Sequence, residues 1–148
     1  MIESFSGEYR WLSNFWPVEI EWMGLDFPSL EHGYVASKCA SFEDVYAILH
    51  DEKGNQRELT GGQVKRFGRK IKIRGDWDGM RVQTMRSLLT LKFQDPELRK
   101  KLIATGDEEI IEGNRWHDSF WGQCSCETCP PGENNLGKLL MQLRKELQ

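Results

Sequence analysis

The sequence predicts an α+β fold: a helix-rich single domain over residues 1–148 with a small antiparallel β element near its N-terminal end. Three observations carry that expectation. Val18, Ile20 and Trp22 alternate with Glu19 and Glu21, the period of a half-buried strand. Several later segments carry apolar residues at helical spacing, and no internal repeat is present. A chain of 148 residues and 17.3 kDa has room for one core, burying about two-thirds of its unfolded surface.

The elements follow in order. Met23-Gly24 offers a turn between the alternating stretch and Leu25-Asp26-Phe27, so the first 28 residues read as a hairpin. Pro28-Ser29 then starts a helix over about residues 29 to 40, with Leu30, Tyr34, Ala36 and Cys39 along it. A second helix begins at Ser41, whose hydroxyl suits the amide of Asp44, and buries Phe42, Val45, Tyr46 and Leu49 before stopping near His50. The polar run from Asp51 to Glu58 reads as a loop. Asp76 caps a long central helix through about Gln94, with Met80, Val82, Met85, Leu88, Leu89 and Phe93 as its apolar stripe. Asp95-Pro96 opens another helix, and Gly106 sits where a left-handed residue closes it. Ile110-Ile111 reads as a short strand, and Leu136, Leu139, Leu140, Leu143 and Leu147 form the last helix.

Composition excludes several classes of function. Lys and Arg total 20 against 23 for Asp and Glu, a formal charge of −3, which disfavours non-specific coating of nucleic acid. No apolar run approaches the roughly 20 residues of a membrane helix, and no basic and apolar leader opens the chain. A cytoplasmic protein without membrane contact is expected. Its cysteines, Cys39 and the cluster Cys124, Cys126 and Cys129, then read as thiols or metal ligands and not as a disulfide framework.

Several constellations bear chemistry. Glu31 and Lys38 lie seven apart on one helix face, about 10 Å along the axis, so both reach a ligand laid against the helix. The plain alternative is a solvated charged face. Lys65, Arg66, Arg69, Lys70, Lys72 and Arg74 form a run with no acidic residue, suited to phosphate or equally to ordinary surface. Gly68 beside Arg69 lets backbone approach a ligand. Six tryptophans exceed what a small core needs, so one or more is a candidate for stacking on a base, with core packing as the alternative for each.

The C-terminal third adds three more. Asp118 stands between Trp116-His117 and Trp121-Gly122, where aromatic surroundings suit a general acid. Asn134-Asn135-Leu136-Gly137 opens the last helix, where first-turn amides attract an anion and either asparagine serves as a cap. The cysteine cluster is a candidate site for structural zinc, with Cys39 or His117 as fourth ligand; free thiols are the alternative. A catalytic metal is not expected, since no compact set of histidines and carboxylates accompanies the cysteines.

These segments together resemble the NADAR family, also called YbiA-like, associated with NAD and ADP-ribose metabolism. The resemblance runs nearly end to end. It rests on Leu12-Ser-Asn14-Phe15, Pro28-Ser-Leu-Glu31-His32, Ala36-Ser-Lys38, Gly68-Arg69, Arg74-Gly-Asp-Trp77, Lys92-Phe93, Thr105-Gly-Asp107, Asp118, Trp121-Gly122, Asn135-Leu-Gly137, Leu140-Met141 and Arg144. It implies a hydrolase, an N-glycosidase cleaving ribose from a base in riboflavin-pathway intermediates (a phosphorylated ribosylamino-pyrimidine) or in ADP-ribosylated guanine, the latter reversing ADP-ribosylation. The partner is then a small nucleotide or an ADP-ribosylated nucleic acid, with no protein partner and no required cofactor.

Carried over by position, the catalytic candidates are Glu31, Lys38 and Asp118, and the substrate-binding candidates are Asn14, Arg69, Trp77, Trp121, Gly122, Asn135 and Gly137. Glu31 stabilises an oxocarbenium-like C1′ or activates water. Lys38 attacks C1′ to give a Schiff base or clamps phosphate, and Asp118 assists protonation or orients a ribose hydroxyl. Three features depart from the family pattern: Gly33-Tyr34-Val35 replaces an aromatic pair and a glutamine, the cysteines occupy a loop that is otherwise glycine-rich, and the segment from about Asp51 to Thr60 is longer. The reading from another class is a module that binds ADP-ribose or a related nucleotide without cleaving it.

Overall fold

The computed structural model describes all residues from Met1 to Gln148, and the fold is α+β. The chain divides into two compact units, one of Asn14–Lys92 and one of Met1–Ser13 with Phe93–Gln148.

The Asn14–Lys92 unit opens with strands β1 (Pro17–Trp22) and β2 (Leu25–Ser29), antiparallel, with Ile20 opposite Phe27 and Trp22 opposite Leu25. Met23 and Gly24 both take positive φ (57° and 76°), the backbone of a tight two-residue hairpin turn whose twist matches the strands. Helix α1 (Leu30–Lys38) starts where the Ser29 hydroxyl accepts the His32 amide. It is followed by α2 (Phe42–Leu49), capped by Ser41 onto Asp44 as expected, and α3 (Gly61–Phe67); Phe42 and Tyr46, expected inside, are 64% and 41% exposed, and Val45 and Ile48 are the buried residues of α2. Helix α4 (Trp77–Lys92) closes the unit. A core of Phe27, Val35, Ala36, Cys39, Val45, Ile48 and Val64 gathers β2, α1, α2 and α3.

Several expectations change here. Helix α1, not α4, is the buried one: every residue from Leu30 to Ser37 is buried, because Gly33, Ala36 and Ser37 let neighbours close on all sides. A β-carbon on Gly33 would stand 3.1 Å from Leu88 of α4. On α4 itself Val82 is 42% exposed and leaves the stripe, and the Asp76 carboxylate takes Arg74 as its partner, 2.6 Å from Nε. Helix α3 carried no apolar stripe long enough to predict it. Its start is instead a reciprocal cap, Thr60 Oγ1 accepting the Gln63 amide and Gln63 Oε1 accepting that of Thr60.

The other unit contains a 3₁₀ turn at Gly7–Leu12, α5 (Pro96–Ala104), the two-residue parallel pair β3 (Gly113–Asn114) and β4 (Gln123–Cys124), and α6 (Asn135–Leu147). Asp95 caps α5 through the amides of Glu97 and Leu98, and Gly106 takes φ 67°. Ile110 makes only a single bridge, to Ile2, in place of the expected strand. Trp11 meets Phe93 edge to face with ring centres 6.3 Å apart, and the buried Arg144 donates to Thr105 Oγ1 at 3.0 Å.

Candidate active site

Within the Asn14–Lys92 unit, α1 carries the candidates Glu31 and Lys38. Burial of its whole length carries Glu31 inside with 8% exposure, so the solvated charged face is not what forms. Lys38, at the last turn, is half-buried. That burial pushes its ammonium pKa below the ordinary 10.5, and the positive charges of Arg69 and Lys65 push the same way, while Glu31 and Cys39 pull upward. The two expected members of one helix face are thus electrostatically coupled, and the basic run that begins in α3 supplies two further charges that act on Lys38.

Aromatic rings furnish the surroundings. Lys38 Nζ lies 5.8 Å from the centre of the Tyr34 ring, which meets the buried Trp77 edge to face at 5.2 Å. Lys65 Nζ lies 5.9 Å from the Phe15 ring. Asn14 ties this segment to α1, its carbonyl accepting the Glu31 amide at 3.0 Å. Its side-chain Nδ2 is 3.8 Å from Met85 Sδ, and its Oδ1 is buried with no protein donor. An orphaned buried acceptor suits a ligand hydroxyl.

His32 serves the scaffold. Its Nε2 lies 2.7 Å from the Leu59 carbonyl, an acceptor only, so Nε2 carries the proton and Nδ1 accepts from the Ser29 hydroxyl at 2.6 Å. Burial holds its pKa below the ordinary value, which keeps the ring neutral.

In the other unit, Asp118 is half-buried and its Oδ1 accepts the amides of Phe120 (3.1 Å) and Trp121 (2.9 Å). Asn114 holds the same segment, with Nδ2 on the Asp118 carbonyl and Oδ1 on the Asp118 amide. The first amides of α6 face no open anion site: Asn134, Asn135 and Leu136 donate to the carbonyls of Gly122, Phe120 and Trp121. Neither asparagine caps the helix with its side chain. Asn134, in the left-handed region, bridges the Glu112 amide and the Ile110 carbonyl, and Asn135 Nδ2 donates to Phe120. Gly122 and Gly137 are buried at close approaches, Gly137 to the Ile110 carbonyl and Gly122 to Glu112, where any β-carbon would collide. Trp121 is half-buried, against the Phe120 ring at 4.8 Å, whereas Trp116 is 59% exposed.

The cysteine loop brings His117, Cys124, Cys126 and Cys129 together, with their ligand atoms all within 4.8 Å of one another, a set that suits a metal ion. Cys39 is not among them; it is buried at the end of α1 with Sγ on the Val35 carbonyl, and burial raises its pKa to about 11.

The chain as a whole is similar to known proteins. The NADAR domain family matches residues 3–148. The chain belongs to the NADAR family. Among its NADAR relatives, the N-glycosidase YbiA of Escherichia coli is 34% identical over 152 residues, covering 97% of this chain and 85% of that protein. An N-glycosidase of Nostoc punctiforme is 32% identical over 143 residues, 95% of this chain and 86% of its own length. A riboflavin biosynthesis protein of Vibrio vulnificus is 38% identical over 144 residues; the match covers 95% of this chain and 36% of that protein, so the chain spans only about a third of it. The NMR structure of E. coli YbiA superposes with a TM-score of 0.79 and 30% identity, covering 99% of this chain and 86% of that one.

Sequence reasoning within the NADAR pattern passed over two contributors. Tyr34 was a departure from the family's usual residues, and only its contacts with Trp77 and Lys38 give it a place. Lys65 was one of six basic residues, with nothing in the run to separate it from its neighbours.

Proposed function

We propose that this chain hydrolyses the N-glycosidic bond between C1′ of a phosphorylated ribose and a planar base, with bond cleavage carried by side chains and no cofactor. As a NADAR protein whose N-glycosidase relatives align over nearly the whole chain, it is an enzyme, a hydrolase of N-glycosyl bonds. The observation that carries the mechanism is the half-buried Lys38 amine of lowered basicity, coupled to the buried Glu31 carboxylate and flanked by the Tyr34–Trp77 pair.

Glu31 supplies negative charge to the oxocarbenium-like carbon or draws a proton from water. Lys38 adds through Nζ to C1′ as the base leaves; loss of the amine proton and opening of the sugar ring give a Schiff base that water hydrolyses. Arg69 and Lys65 take the phosphate, the Trp77 and Tyr34 rings take the base, and Asn14 Oδ1 accepts a ribose hydroxyl. Asp118 assists protonation or orients a hydroxyl. The contacts of Gly122, Asn135 and Gly137 support a role in fixing the Asp118 segment, with Trp121 as a further ring.

The substrate we favour is a phosphorylated ribosylamino-pyrimidine, supported by the riboflavin-related name of the Vibrio relative and by the net negative charge of −3. Free cysteines support a reducing compartment, the cytoplasm, and no helix is long and apolar enough to cross a membrane. The test is mass-resolved base release from this substrate and from an ADP-ribosylated guanine nucleotide, side by side, with borohydride present in a parallel sample. Release from the pyrimidine and a reduced sugar adduct on Lys38 are expected. Release from guanine alone reassigns the substrate; binding of ADP-ribose without release from either makes the protein a reader.

A further inference from the structure

We propose that His117, Cys124, Cys126 and Cys129 hold one tetrahedral zinc ion that braces the segment carrying Asp118 and Trp121. The donor set is three sulfurs and one imidazole nitrogen, the soft and borderline ligands that select zinc over magnesium or calcium. His117 Nδ1 lies 3.2 Å from Cys129 Sγ, 3.4 Å from Cys126 Sγ and 3.9 Å from Cys124 Sγ, and the Cys126 and Cys129 sulfurs are 2.9 Å apart. Tetrahedral zinc requires edges of about 3.8 Å between sulfurs and about 3.6 Å between sulfur and nitrogen, from bond lengths of roughly 2.3 and 2.0 Å. Shifts of about 1 Å or less along these edges, in partly exposed side chains, bring the four into that figure.

Two observations on the backbone agree with a built site. His117 takes a φ of 68°, a left-handed conformation that a non-glycine residue adopts at a cost, and that conformation accompanies the turn of its ring toward the sulfurs. The Cys126 amide points at Cys124 Sγ at 3.5 Å, the kind of hydrogen bond that steadies a ligating thiolate. The surrounding chain needs such a tie. From Arg115 to Glu133 the only regular element is the two-residue β4, and Cys124 is its last residue. A loop of this length without its own structure is uncommon in a compact protein, and one metal cross-link joining its start, middle and end removes much of its freedom.

The metal site adjoins the Asp118 segment through covalent neighbours. His117 precedes Asp118, and Cys124 follows the Trp121-Gly122 pair whose carbonyls receive the first amides of α6. Any effect on turnover rests on the role proposed above for Asp118; the metal site does not.

The test uses the full chain purified without added metal. One equivalent of zinc by elemental analysis is expected, and cobalt exchanged into the site should give the visible bands of tetrahedral thiolate coordination. Cys126→Ser and His117→Ala should each weaken cobalt binding by more than about tenfold, while Cys39→Ser leaves the spectrum intact. Chelation should speed amide exchange at Phe120, Trp121 and Ser125 by at least about tenfold. A metal-free protein with no cobalt bands, or a Cys126–Cys129 disulfide found in reduced-buffer preparations, overturns the proposal. Zinc present with no base release would leave the site standing and remove the glycosidase reading instead.

Discussion

At the scale of single residues the proposed mechanism turns on one protonation state. In that mechanism Lys38 attacks only as the free amine, so the rate should climb with pH until its pKa and then level, with a limb below the pH 10.5 of an ordinary lysine. Arg69→Ala removes a positive charge that lowers this pKa, so the limb should move to higher pH and turnover at neutral pH should fall. Glu31→Gln removes a charge that raises it, so its limb should move down even as kcat drops by about a hundredfold or more. Paired pH profiles of the two variants check both directions; limbs that move together would show that Lys38 is not the titrating group. Glu31 and Lys38 were legible as a pair from their spacing of seven. The tuning by Arg69 and Lys65 was not, because those residues come from α3 and the turn after it.

At the scale of elements, local signals were read well where their partners lie within a few residues. Ser41 and Asp95 cap the helices they were expected to cap, Ser29 caps the helix expected to start there, and Met23-Gly24 turns the hairpin; Asp76 and the two asparagines, also expected as caps, take other partners. Helix α3 was missed because its cap has no apolar run behind it, only Val64 being buried. Thr60→Ala should cost about 1 kcal/mol in urea unfolding, and it should raise KM more than it lowers kcat, since α3 carries Lys65 and leads into Arg69. An unchanged KM would detach α3 from phosphate binding. Gly68 belongs to the same joint: a β-carbon there would stand 3.1 Å from both methyls of Val35, so Gly68→Ala should destabilise by about 1 to 3 kcal/mol. Equilibrium unfolding of that variant measures the fit of α3 against α1.

At the scale of the whole molecule, Lys92 ties stability to pH. It is fully buried at the end of α4, and burial pushes its pKa down to about 7. The unfolded chain therefore binds the extra proton between about pH 7 and the ordinary 10.5, so stability rises with pH across that window, by up to about 1.4 kcal/mol per unit. Lys92→Met should flatten this slope in urea unfolding at pH 7, 8 and 9. Equal slopes in the two proteins would mean that Lys92 stays charged when folded.

The sequence by itself determined the fold class, the family, the N-terminal hairpin and five of the helices. Those follow from caps, turns and periodicities in which cause and effect lie a few residues apart, and from a series of short motifs in a shared order. Only the tertiary structure decided that Glu31 is buried instead of solvated, that Asn134 spans backbone at Ile110 and Glu112 instead of capping its own helix, and that His117 and not Cys39 joins the three cysteines. Desolvation, charge coupling and ligand convergence depend on which groups share a volume, and that is set by packing between residues far apart in the chain.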